Sequence, residues 1–296
     1  MQRSSQEMTL SPRFKLTGVQ FSIFALALLC FFSGFSADAQ TFYVSCAGDN
    51  TVQKFDATGK SLGALFNFGE STPSGLAFDK SGNLCVAQLG TNVIQKFSPA
   101  GDDLGIFSRV KLSAATGLAF DPNGDLYVAN RFIGKVGRYS PRGGFIGMFV
   151  NNGLNTPVGI AFDGSGNLFV ANWAANTIEK FSPKGTDLGV FASTDLNWPN
   201  GIAFDPDGAL YVANEGDNAI RKYSPKGELL KTITGKHLDE PTGIAFDEGG
   251  NFYVVNHGNN TVVKFSPKGE NLGEFISMGL NKPTYIAILP ASKLSP

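Results

Sequence analysis

The feature that most constrains this chain is a repeat of 42 residues that runs without insertion or deletion. GLAFD begins at Gly75 and Gly117, and GIAFD at Gly159, Gly201 and Gly243. Other columns keep the same step. Asn130, Asn172, Asn214 and Asn256 each close a VAN or VVN segment. Lys54, Lys96, Arg138, Lys180, Lys222 and Lys264 each precede Phe or Tyr, and Gly59, Gly101, Gly143, Gly185, Gly227 and Gly269 follow in register. Identical units bury apolar surface mainly against copies of themselves, so the fold must be an array or a ring of like units.

Each unit reads as four short strands. In the unit that starts at Gly159, strand one is 159–162 and strand two 167–172; strand three is 177–181 and strand four 187–191. Asp163-Gly-Ser-Gly166 and Ser182-Pro-Lys-Gly185 form tight turns, in which Asp or Ser accepts a downstream N–H, Pro presets φ and Gly takes the positive-φ position. The recurring Asp79, Asp121, Asp163, Asp205 and Asp247 are therefore turn residues rather than catalytic carboxylates. Strands one and two are apolar at nearly every position, so both sheet faces are buried. A four-stranded sheet covered on both faces by its own copies is a propeller blade.

Five units are complete. Residues 42–74 form a unit that lacks strand one, and Tyr285-Ile-Ala-Ile-Leu289 aligns with strand one alone. The expected fold is all-β: a six-bladed propeller of four-stranded antiparallel blades, closed by a C-terminal inner strand that joins three N-terminal strands. Closure removes exposed sheet edges. The repeated Pro-x-Gly-Ile-Ala-Phe-Asp-x-x-Gly-Asn-Leu-Tyr-Val-Ala-Asn, followed by Asn-x-Ile-x-Lys-Phe and Pro-x-Gly, resembles the NHL repeat over about residues 42–289. That resemblance implies a propeller and leaves the function open, because the family spans protein-binding and RNA-binding modules, lyases and exported proteins.

The first 39 residues read as a leader. Arg3, Arg13 and Lys15 precede a twelve-residue, mostly apolar run, Phe21 to Phe32, and Ala37 and Ala39 give the small-x-small pattern of a cleavage site. Twelve residues fall short of the roughly 20 that span a bilayer. The expectation is a cleavable signal peptide over 1–39, a propeller over 40–296, and an exported, periplasmic or extracellular monomer with no membrane span after cleavage. The whole chain has 24 basic and 25 acidic side chains, a balance that offers no field for a polyanion and excludes a nucleic-acid partner. Cys46 and Cys85 lie on strand two of adjacent units, offset by about 10 Å along the strand, beyond disulfide reach; two buried thiols are expected.

The tight turns share one end of the ring and hardly vary. The strand two–three loops and the inter-unit linkers share the other end and differ from unit to unit. The residue after strand two is Ala47, Leu89, Arg131, Trp173, Glu215 and His257 in turn. The linkers add Trp198, Asn200, His237, Asp239, Glu240 and Lys282, and Tyr285 stands where other units have Gly. Arg131, Trp173, Trp198, Asn200, Glu215, His257 and Tyr285 are thus the candidate ligand-binding residues: Trp173 and Trp198 suit stacking on a sugar or ring, and Arg131 suits a carboxylate. The reading is a binding scaffold for a protein, glycan or small-molecule partner, without a cofactor, a metal or catalytic residues.

The alternative is a divalent-metal lactonase or lyase. Calcium-dependent gluconolactonases resemble this fold; their metal ligands include an Asn before the strand-one Gly and an Asp at the same column of another blade. Here that column reads Ser74, Thr116, Val158, Asn200, Thr242 and Thr284, so only Asn200 matches. Peptide-amidating lyases are also similar, with a zinc held by several His; this chain offers His237 and His257, with Asp239 or Glu240 alongside. No Gly-x-Ser-x-Gly elbow, CxxC or phosphate-binding loop is present.

Overall fold

The computed structural model describes residues 40–291. The leader, 1–39, lies outside the described residues. Six four-stranded antiparallel sheets contain 24 strands. Blades 2 to 6 each take four consecutive strands, beginning with β4 (Pro73–Phe78), β8 (Ala115–Phe120), β12 (Pro157–Phe162), β16 (Pro199–Phe204) and β20 (Pro241–Phe246). Blade 1 joins β24 (Pro283–Leu289) to β1 (Thr41–Cys46), β2 (Thr51–Phe55) and β3 (Ser61–Asn67), so the tail supplies the inner strand of the first blade. Phe42 pairs with Ile288 and Tyr43 with Ala287. The register slips between Val44 and Cys46. In that slip the buried Ser45 hydroxyl receives the Tyr285 N–H at 3.0 Å and bonds the Thr284 hydroxyl at 2.9 Å.

Strand one starts two residues earlier than the repeat pattern indicates, at a proline in every blade but the third, where it starts at Ala115. Proline cannot donate to a ladder, and the first residue of a strand is where that loss costs least. The repeated glycines of strand one form the axis. A Cβ built on Gly75 would fall on the Thr116 carbonyl oxygen of the next blade, and one on Gly159 on the Asn200 carbonyl oxygen. Neighbouring inner strands approach too closely for any side chain there. Farther out the wedges widen and aromatic rings fill them edge to face. Tyr127 meets Phe162 at 4.9 Å, Phe169 meets Phe204 at 4.9 Å, and Tyr211 meets Phe246 at 5.1 Å, each across a blade interface. Such pairs add to the burial term of rings already removed from water.

The Asp column does turn work. Asp163 Oδ1 accepts the N–H groups of Ser165 and Asn167 at 2.9 and 2.8 Å, and Asp205 Oδ1 those of Asp207 and Ala209. Its second oxygen meets the basic column on strand three. Lys96 lies 2.8 Å from Asp79 and Lys222 3.0 Å from Asp205. These basic groups also sit over rings, Lys222 at 4.9 Å from the Tyr211 centroid. Cys46 and Cys85 are buried and unbridged, and burial pushes both thiols up to about 12. Among the described residues, no helix is long and apolar enough to cross a membrane.

Candidate functional site

The variable end of the ring is held by two asparagine columns. Asn172, Asn214 and Asn256 are almost wholly buried at the end of strand two. Their Oδ1 atoms accept the N–H groups of Asn155, Asn197 and Asp239, so the side chains stand in for backbone and pin the linker that precedes each strand one. The second column, Asn176 and Asn218 among its members, has left-handed backbone and accepts an N–H from the linker of the next blade. By this route Asn176 receives the Trp198 N–H at 2.8 Å, and the Glu215 N–H closes on the Trp198 carbonyl at 3.2 Å. Trp198 has φ of 53°, but Ala114, Thr156, Glu240 and Lys282 share that conformation at the same column. The left-handed backbone belongs to the linker design and is not a strain peculiar to Trp198.

On this frame the residues after strand two converge at the mouth of the axial channel. A cavity of about 200 Å³ is lined by Arg131, Val158, Trp173, Asn200, Glu215, Thr242, His257 and Thr284. Trp173 donates its indole N–H to Glu215 Oε2 at 3.0 Å, and Asn200 donates to the same oxygen at 2.9 Å. Trp173 stacks on Trp198 with centroids 5.2 Å apart and planes 19° apart, while the Arg131 guanidinium lies 5.3 Å from the Trp173 ring. Arg131, Trp173 and Glu215 come from blades 3, 4 and 5, so one row of contacts runs across three blades. His257 on blade 6 has Nδ1 3.1 Å from the Pro283 carbonyl. A carbonyl there requires a proton on Nδ1, which leaves Nε2 as an acceptor in the neutral ring. Tyr285 lies one step deeper on the closing strand. It lines a second cavity of about 80 Å³ with Gly117, Gly159 and Gly201 and the aliphatic ring Leu76, Leu118, Ile160, Ile202, Ile244 and Ile286.

Of the residues singled out in the sequence, Arg131, Trp173, Asn200, Glu215 and His257 line the mouth, Trp198 flanks it and Tyr285 lies beneath it. The other linker residues do not line it. His237 lies 3.4 Å from Glu274 through Nδ1, so a two-histidine site with His257 is not built. No group of three or more His, Cys, Asp or Glu side chains among the described residues is arranged to hold a metal ion. At the mouth the one carboxylate, Glu215, already accepts two N–H groups through one oxygen. This donor set does not fit a hard cation, which takes several oxygens including charged ones. The Lys–Asp pairing at the other end was not read from the sequence, although its constant offset of 17 residues between the two columns was available there. A larger groove of about 410 Å³, around Phe149, Val150, Asn151 and Asp187, carries a single carboxylate and no basic group; a cavity of about 230 Å³ at the turn end is lined by Asp205, Asp207, Lys222 and Glu248.

Comparison with known proteins agrees with this architecture. A chain of a nidogen–laminin complex superposes with a TM-score of 0.77 at 20% identity, covering 85% of this chain and 99% of that one. Virginiamycin B lyase from Staphylococcus aureus gives 0.59 at 18%, covering 72% and 73%. A catalytically inactive histidine-to-alanine variant of that enzyme, with quinupristin, gives 0.61 at 19%, covering 74% and 75%. At these identities the likeness is one of fold. No curated protein matches the sequence. The profile of the Virginiamycin B lyase family, however, matches residues 40–292, and the chain belongs to that family.

Proposed function

We propose that this propeller binds a small ring-bearing carboxylate at the variable mouth of its axial channel. One observation carries the reading. The Arg131 guanidinium is stacked on Trp173 at the mouth, and no acceptor among the described residues lies within hydrogen-bond distance of it. A guanidinium oriented by a ring offers paired donors in the geometry a carboxylate takes. Glu215 fixes the edge of Trp173, so the indole that carries Arg131 is itself held in place. A cavity of about 150 Å³ is known to hold a benzene; the roughly 200 Å³ here accommodates one ring and its acidic group. The chain has two tryptophans, Trp173 and Trp198, and both are at this site. Fluorescence excited selectively at tryptophan, and not at the 7 tyrosines, therefore reports the mouth. Titration with phenylacetate should give a saturable change that is lost in Arg131→Ala. An unchanged spectrum in the wild-type protein, or an equal response in the variant, would refute the proposal.

A second reading is favoured by His257. Its Nδ1 is engaged by the Pro283 carbonyl and its Nε2 has no hydrogen bond among the described residues, on the same cavity, where a general base for an elimination would stand, and the family takes its name from a lyase. Incubation with quinupristin separates the two readings. A new product that disappears in His257→Ala supports the lyase; an intact compound overturns this second reading.

A further inference from the structure

The axial ring breaks its own rule once. Five blades place glycine there, and the sixth position is Tyr285. The five bare backbones leave an open centre, which one large side chain fills. Its hydroxyl is buried and has no hydrogen-bond partner among the described residues; Arg221 is the other side chain among them with such orphaned atoms. The phenol is held well above its ordinary pKa by burial, with the Arg131 charge opposing the rise and the Glu215 charge adding to it. Those two residues stand on blades 3 and 5, which flank the blade opposite the closing strand. The tyrosine thus reaches across the axis, beneath the charged part of the mouth. At neutral pH it remains a neutral donor.

A role in packing alone does not account for this hydroxyl. Phenylalanine would fill the same space without burying an unpaired O–H, which costs free energy in every folded molecule. The orphan points to a partner that arrives from outside. Resting on the ring-carboxylate reading, we propose that Tyr285 sets ligand specificity: its hydroxyl, in the cavity beneath the mouth, donates to an acceptor oxygen of the ligand that Arg131 holds at the mouth. The ligand class is then an aromatic acid whose oxygen enters the channel ahead of its ring. A site built around a donor rejects analogues that lack the acceptor, because the donor is then left unpaired.

The test compares wild type with Tyr285→Phe, using tryptophan fluorescence for binding and circular dichroism for melting. Two probes are used: phenylacetate, and ethylbenzene as a ring without an acceptor oxygen. The variant should bind phenylacetate about tenfold more weakly and ethylbenzene within twofold of wild type, and its Tm should equal or exceed the wild-type value. A purely structural hydroxyl would give the opposite pattern, with a lowered Tm and unchanged binding. Binding by the wild type with the same Kd in Tyr285→Phe overturns this inference alone. Absence of any wild-type response to phenylacetate overturns the ring-carboxylate reading and this one with it. A variant that fails to fold shows the hydroxyl to be structural and also overturns it.

Discussion

The two ends of the ring carry 11 and 12 connections among the described residues, the mouth end having one more, and treat them in opposite ways. At the turn end each Asp binds its own backbone, and Asp79, Asp121, Asp163 and Asp205 also meet the lysine or arginine on strand three of the same blade, whereas Asp247 accepts from Asn251 and Tyr253. At the mouth end the linker asparagines repeat, but the residues they present do not: Arg131, Trp173, Glu215 and His257 are four chemistries in one column. The difference shows where the repeat is constrained. Side chains that close a turn or an interface cannot vary without cost in every blade, whereas those that face the channel mouth vary because no blade needs them.

The comparison breaks most completely if the ring itself is opened. Deleting residues 284–296 removes most of β24 and leaves β1 as an exposed edge against a gap. Net stabilities of about 5–15 kcal/mol do not survive the loss of a whole inner strand. The truncated protein should show no cooperative melt, or should oligomerise by edge pairing on size-exclusion chromatography. A monomer with the wild-type Tm would refute the closure argument.

A single added side chain at the axis comes next. In Gly117→Val the Cβ meets the carbonyl of Val158 on the next blade, backbone that cannot move aside without shifting a strand. Overpacking of this kind costs about 1–3 kcal/mol, measurable by denaturant titration with an unchanged slope. Tyr285 is tolerated at the same column where Gly117 is not, so Gly117→Tyr should be at least as damaging. An unperturbed midpoint in either variant would show that the inner strands are looser than their geometry implies.

How much of this was legible beforehand follows from the same contrast. The blade count, the closing strand and the four-strand unit were readable because a gapless repeat states its fold several times over. The turn role of the Asp column was readable from its Pro and Gly neighbours. The convergence at the mouth was readable as a column, but the Trp173–Glu215–Asn200 contacts were not, since side-chain direction within a loop depends on the linker that pins it. The expected linker residues His237, Asp239, Glu240 and Lys282 do not line the mouth for that reason: the pinning asparagines use this stretch as backbone. The orphaned hydroxyl of Tyr285 was visible only as a departure from glycine; its burial needed the axis.

A smaller effect sharpens the turn end. Burial pushes the Asp79 carboxyl up, but hydrogen bonds from Asn83 and Lys96 and the Lys96 charge outweigh it and leave the pKa lowered. A carboxylate depressed in the folded state stabilises above its unfolded pKa of about 3.9; that contribution is lost as pH falls through the lower folded value. Asp79→Asn keeps an acceptor for the turn and removes the ion pair. It should cost about 1 kcal/mol at pH 7, and its Tm should fall less than that of wild type between pH 5 and 3. Parallel acid profiles for the two proteins would mean that the pair with Lys96 contributes nothing.

The smallest expected change in stability belongs to the mouth. Arg131 touches no blade interface through its charge: its guanidinium lies on Trp173 and no acceptor holds it. Removing it in Arg131→Ala sacrifices one stacking contact with a half-buried cation, worth about 0.5–1 kcal/mol. The Glu215 bonds to Trp173 and Asn200 stay intact. The Tm should therefore stay within a degree or two of wild type, while the fluorescence response to phenylacetate disappears. A residue that costs the fold almost nothing to lose and costs binding everything is what the divergence of the mouth requires. If Arg131→Ala instead unfolds the ring as Gly117→Val is expected to, the two ends are not separable and the variable column is part of the scaffold after all.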